Sequence, residues 1–143
     1  MRFTESTGRQ VVSTSTAATV GKIDEFVIDP QTRSVVAVTL KKTDGGDTLQ
    51  WSDIITFGAD AVTVSGADKL TDSPPELAEL SGKDHRVLGK RVLATTGDEL
   101  GEVDDVEFDP ETGTITALVL AGGQVAGIRL IGVGSYAVVV QAE

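Results

Sequence analysis

The chain contains one segment twice. Residues 20–40 read VGKIDEFVIDPQTRSVVAVTL and residues 100–120 read LGEVDDVEFDPETGTITALVL. Shifted by 80, Gly21 falls on Gly101, Asp24 on Asp104, Asp29 on Asp109, Pro30 on Pro110 and Leu40 on Leu120. A repeat of this length restricts the fold to two copies of one small unit. Each copy has about 60–65 residues, near the lower limit for a core that stands alone. The copies are therefore expected to lean on each other.

Each copy reads as β structure. In the second, Val106 and Phe108 alternate with Glu107, the period of a half-buried strand. Val103 is out of phase with them, because two residues, Asp104 and Asp105, separate it from Val106. Ile23, Asp24, Glu25 and Phe26 repeat the slip in the first copy. One extra residue at the same place twice predicts a β-bulge, a device for curling a sheet. Asp109-Pro110-Glu111-Thr112-Gly113 then reads as a hairpin turn, with proline pre-setting φ and glycine taking a left-handed position. The first copy has Arg33 in place of that glycine, at a cost of roughly 1–2 kcal/mol if left-handed. The first hairpin is expected to be the looser.

The strand at 114–121 is apolar on both faces. Val119 stands where the first copy has Thr39, and Val139 where it has Thr63, at an offset of 76. The offset falls because residues 41–50 are shortened to 121–126. Val119 and Val139 are expected to touch the other copy or a second chain. Between the copies, Ser73, Pro74 and Glu76 form a helix-start signature, with Leu77 and Leu80 on one face and Gly82 able to end the helix. A helix of about two turns packed on a barrel is predicted there. The organisation read from the chain is a first unit at 1–68, a connector at 69–88 and a second unit at 89–143.

Charge restricts the partners. The net charge is −10. Residues 1–68 carry six Lys/Arg against nine Asp/Glu, and residues 89–143 carry three against nine. An acidic chain without a basic stripe is a poor ligand for nucleic acid or anionic membranes. No apolar run approaches the ~20 residues of a membrane helix, and the opening MRFTESTGRQ has no signal-like apolar core. A cytoplasmic location is expected. With no cysteine, disulfides, thiolate metal sites and cysteine nucleophiles are excluded.

Taken in order, Gly8-Arg9-Gln10-Val11, Gly21-Lys22-Ile23, Asp29-Pro30, Trp51-Ser52-Asp53-Ile54 and Gly58-Ala59-Asp60-Ala61-Val62 resemble the PRC-barrel family. The second copy supplies Gly89-Lys90-Arg91-Val92, Gly101-Glu102-Val103, Asp109-Pro110 and Gly134-Ser135-Tyr136-Ala137-Val138. The ordered series, present twice, carries the resemblance. It implies a mainly β fold of two tandem small antiparallel β barrels joined by a short helix. It also implies a protein-binding or adaptor module and no enzyme. The family's fold occurs in the photosynthetic reaction-centre H subunit and in a ribosome-maturation factor. Neither role is expected here, because neither a membrane helix nor an RNA-associated domain precedes the first copy.

The candidate sites follow from the mismatches between copies. Trp51 is the sole tryptophan, and Gly127 replaces it in the second copy. It reads as a core residue first and as a binding anchor second. An acidic run from Asp98 to Glu111 includes Glu102, Asp105 and Glu107. It reads first as a solvated face, then as a surface for a basic partner, and last as a cation site. Its spacing does not match a calcium loop. The lone His85 and the Ser52-Asp53 pair are not expected to form a catalytic set. The partner-binding candidates are Trp51, Glu102, Asp105, Glu107, Val119 and Val139, with no catalytic, cofactor or metal residues. The expected function is a non-enzymatic adaptor for a protein partner. Self-association as a homodimer is the second reading, and cation or small-molecule binding at the acidic face the third.

Overall fold

The computed structural model describes residues 1–43, 46–72 and 86–142. After a single helical turn, α1 (Phe3–Ser6), the first copy forms β1 (Gln10–Ser13), β2 (Thr19–Asp29), β3 (Ser34–Lys41), β4 (Thr48–Gln50), β5 (Ile54–Phe57) and β6 (Val62–Val64). The second forms β7 (Arg91–Ala94), β8 (Glu99–Phe108), β9 (Ile115–Leu120), β10 (Gly123–Ala126), β11 (Leu130–Val133) and β12 (Val138–Val140). The sheets run β4-β3-β2-β1-β6-β5 and β10-β9-β8-β7-β12-β11, one order repeated strand for strand. The helix expected at 73–82 lies outside the described residues.

The duplication extends to the irregularities. Pairing slips between Ile23 and Glu25 and between Val103 and Asp105, where the bulges were expected. It slips again between Val27 and Ile28 and between Glu107 and Phe108. Each bulge adds twist and bends the long strand. The second slip brings Ile115 into the same core as Leu118 and Leu120, although simple alternation puts it on the opposite face.

Two expectations need correction. Among the described residues the sheets are open, with β4, β5, β10 and β11 at their edges, rather than closed barrels. Nor are they wholly antiparallel: β1 pairs parallel to β6, with Val11 opposite Val62, and β7 parallel to β12, with Val92 opposite Val138. Alternation reports which face of a strand is buried and carries no information about a neighbour's direction.

The two sheets join through a pair of reciprocal hydrogen bonds. Val35 N donates to Gly113 O at 2.8 Å, and Ile115 N donates to Arg33 O at 2.8 Å. A shift of 80 turns the first bond into the second, so the join is a pseudo-two-fold contact, with Ser34 bridging Thr114 at its centre. An isologous interface between identical chains has this form; here it lies within one chain. The segments leading into β1 and β7 obey the same symmetry. Thr4 bonds Asp105 on β8, and Arg86 pairs with Glu25, the matching position on β2.

Burial follows the same plan. One apolar cluster takes Val11, Ile23, Val38 and Leu49 from the first copy and Val92, Phe108, Leu118 and Leu130 from the second. The accessible surface is 7330 Å². A single globule of 14.9 kDa has about 7,000 Å², and two independent halves would have about 8,500 Å². The copies have merged into one core.

Both turn residues at the join are left-handed, Arg33 at φ 54° and Gly113 at φ 80°. The expected looseness of the first hairpin has no counterpart in its pairing. Its ladder continues to Asp29 opposite Ser34, and Arg33 Nε donates to Leu130 O at 2.8 Å. Gly113 has less freedom than Arg33. A Cβ there would lie 2.9 Å from Val35 O and 3.0 Å from the Trp51 ring. Gly113→Ala is therefore expected to cost clearly more than the ~1–2 kcal/mol of left-handed strain alone. Gly97→Ala, at φ 88° but in open space, should cost only that strain. Urea denaturation of the two variants checks the difference.

Candidate functional site

The aromatic residues are unevenly shared. Phe3, Phe26, Phe57 and Trp51 come from the first copy and gather around Phe108 of the second. Phe108 lies 5.6 Å from Phe3, 5.5 Å from Phe26, 5.4 Å from Phe57 and 6.1 Å from Trp51, centroid to centroid. At the matching positions of the other copy stand Val106 for Phe26, Gly127 for Trp51, Val133 for Phe57 and Ile28 for Phe108. Apart from the exposed Tyr136, all the aromatic side chains thus occupy one of two pseudo-equivalent places. Rings in edge and offset contact stabilise beyond their buried area, each pair by about 0.5–1.5 kcal/mol.

Trp51 belongs to both the core and the surface. It opens a short 3-10 turn, Trp51–Asp53, between β4 and β5. Its ring stacks on Phe57 at 5.4 Å and meets Phe108 edge-on at 87°. It also covers Gly113, the glycine of the opposite turn. In the reciprocal place the size relation is inverted. Gly127 opens the 3-10 turn there, with Ile115 O only 2.0 Å from where its Cβ would be, so no side chain fits. Arg33 spans that side instead, reaching Leu130 O. One side of the join is filled by a tryptophan over a glycine. The other has a glycine in the turn and an arginine reaching across.

Trp51 remains partly exposed and lines a cleft of about 400 Å³. Its other walls are Ile54, Ile55, Thr56 and Phe57 of β5, with Pro110 and Glu111 from the turn of the second copy. Strand β5 is an edge of its sheet, and Ile55 on it is 57% exposed. The cleft therefore combines an aromatic ring, an exposed aliphatic side chain, an edge strand and a carboxylate at the seam between the copies. Such a combination can hold an extended segment, through main-chain pairing at the edge and side-chain pockets beside it.

The remaining sequence candidates disperse. Asp105 is 7% exposed. Its carboxylate accepts from Thr4 N at 3.1 Å, from Thr4 Oγ1 and from Val106 N at 2.9 Å. Its place among partner-binding residues is corrected: it anchors α1 to β8, which removes it from the surface. Glu107 is half-buried and paired with Arg2 at 3.1 Å. Glu102 is exposed on β8. The rest of the acidic run is partly committed as well. Glu99 pairs with Arg91 at 3.3 Å, Asp98 accepts from Thr96, and Asp109 accepts from Glu111 N within its turn. No group of acidic side chains or histidine among the described residues converges as metal ligands would.

Val119 and Val139 are both half-buried and stand outside the shared core. The expected contact with the other copy is made instead by Phe108 and the turns. Val139 lines a shallow depression with Leu93 and Tyr136, the latter 66% exposed. Ser52 and Asp53 lie in the 3-10 turn after Trp51, and His85 lies outside the described residues. Sequence reasoning missed Ile55 and Pro110 as parts of a site. The doublet Ile54-Ile55, which breaks alternation at the end of a strand, was the available signal. Glu111 belongs to the acidic run read as a surface for a basic partner, but its place beside Trp51 carried no signal, because the join between copies brings the two together.

The family model of the PRC-barrel domain matches residues 82–142. No curated protein matches the chain.

The uneven core has a measurable consequence. Phe108→Ala is expected to lower stability by about 3–5 kcal/mol, while Ile28→Val at the matching position should cost about 0.5–1.5 kcal/mol. Asp105→Ala would strip Thr4 N of its acceptor, at about 1–3 kcal/mol. Hydrogen exchange should then show faster opening of residues 3–6 with little change in β11 and β12.

Proposed function

We propose, from the premise that the second half of this chain belongs to the PRC-barrel domain family and that the first half repeats its strand order, that the protein is a non-enzymatic binding module. It acts as an adaptor, holding a partner protein in the cleft beside Trp51. The observation that carries this reading is the cleft itself, where an edge strand, an exposed isoleucine and the sole tryptophan meet at the seam of the two copies. An exposed edge is a template for pairing with another chain, and aromatic anchors dominate protein interfaces. No helix among the described residues is long and apolar enough to cross a membrane. A cytoplasmic setting, and the absence of catalysis, belong to the same proposal.

Self-association is the weaker reading on physical grounds. The reciprocal surface through which two such units would meet is internal to the chain. What favours it is the residual apolar surface of the second copy, where Ile128, in the 3-10 turn, is 76% exposed and Ile131, on edge strand β11, 43% exposed.

The test is affinity capture from native lysate with the full chain and with Ile55→Lys. Ile55 is exposed, so the substitution should leave stability within the range of ordinary surface changes, about ±0.5 kcal/mol. It places a charge on the docking edge. A protein recovered by the native chain and lost with the variant is the expected result. Recovery of no specific protein, or equal recovery by both chains, would sink the reading. A concentration-dependent dimer in sedimentation would move support to self-association.

A further inference from the structure

The two reciprocal sides of the join differ in one chemical respect that bears on what the cleft binds. At the edge of the second sheet, Arg33 sends its guanidinium across the join, and Nε donates to Leu130 O at 2.8 Å. Leu130 opens β11 directly after a 3-10 turn. Ile54 opens β5 in the same way. The residue that would supply a guanidinium to the β5 side is the counterpart of Arg33, and that residue is Gly113. The chain thus provides an arginine for one edge and none from the equivalent position for the other.

The β5 side is also the acidic one. Glu111, exposed in the turn, contributes to the cleft wall, where the first copy has the uncharged Gln31 at the matching position. Among the described residues no cationic side chain lines the cleft; the Arg9 guanidinium lies 5.8 Å from the Phe57 ring and donates to Gly58 O at 2.9 Å, just beyond β5. The whole chain adds a net charge of −10, which draws cationic partners to it and raises their rate of encounter. The apolar surfaces of Trp51, Ile54 and Ile55 suit the methylene stem of a long basic side chain, which can lie on apolar surface with its charged head in water.

We propose that the occupant of this cleft is an extended segment of a partner protein bearing arginine side chains. It pairs along β5 with one guanidinium on the Glu111 carboxylate. The planar fork of arginine matches a carboxylate in a bidentate way that the lysine ammonium cannot. This inference rests on the binding-module reading and adds the chemistry of the partner. The same face would repel an acidic segment.

The test uses the full chain and three hexapeptides: alternating arginine and valine, alternating glutamate and valine, and alternating threonine and valine. Calorimetry measures affinity, and emission from Trp51, the sole tryptophan, reports the location. The arginine peptide is expected to bind at least tenfold more tightly than the other two and to shift the emission. Binding should weaken as salt rises. Glu111→Lys should weaken the arginine peptide at least tenfold and strengthen the glutamate peptide. Equal binding of all three peptides, an arginine-peptide affinity unchanged in Glu111→Lys, or no binding at all would overturn the inference. Failure here leaves the capture experiment with Ile55→Lys to decide the binding-module reading separately. If the threonine peptide binds as well as the arginine peptide and a partner is still lost with Ile55→Lys, the edge docks a segment without charge selection.

Discussion

Everything in this molecule depends on the paired hydrogen bonds between its two turns, Val35 to Gly113 and Ile115 to Arg33. Each is an ordinary backbone bond, worth about 0.5–1.5 kcal/mol net. Their importance is geometric. They set one open sheet against the other about a pseudo-two-fold axis, and that placement lets two small apolar faces close into one core. A unit of about 60 residues buries too little surface to be comfortably stable. Joining two such units supplies the missing burial. The segments leading into β1 and β7 reinforce the join by crossing to the other copy, through Thr4 on Asp105 and Arg86 on Glu25.

Symmetry holds in the backbone and fails in the side chains. Bulges, turns, parallel pairs and strand order repeat between the two copies among the described residues. The aromatic residues do not: all but Tyr136 crowd around Phe108 and leave the reciprocal place to Ile28, Val106 and Val133. Trp51 over Gly113 and Arg33 reaching past Gly127 are the same trade made in opposite senses. Two copies under one backbone plan can diverge in this way because the join asks only that each side be filled. What fills it is open to selection. On the tryptophan side, the outcome is a cleft with an edge strand and a carboxylate.

Much of the fold was legible in the residues, and the reasons for the misses are specific. The bulges at Asp24 and Asp104 were visible because a slip in alternation is a local signal. The left-handed residue at position 33 or 113 was visible because turn chemistry is local too. The parallel pairing of β1 with β6 was invisible, since alternation fixes a face and says nothing of a neighbour's direction. The site was less legible still. Asp105 looked like surface charge because its partner, Thr4, is 101 residues away. Val119 and Val139 are more apolar than their counterparts, which marks them for contact with the other copy or a second chain; between the copies Phe108 makes the contact, and its counterpart is also apolar. Trp51 packs on Phe57 and Phe108 as the core reading expects and also lines the cleft. Glu111 joined the site only through the reciprocal packing of the two turns.

The central claim is that two copies of one unit form a single cooperative body. Urea unfolding followed by two probes tests it most directly. Trp51 emission reports the seam between the copies, where its ring meets Phe108, whereas far-ultraviolet circular dichroism reports the strands of both. One transition with the same midpoint by both probes is expected, with a denaturant slope suited to the surface of all 143 residues rather than of half of them. Two transitions, or a dichroism change that begins while Trp51 remains in its native setting, would contradict it.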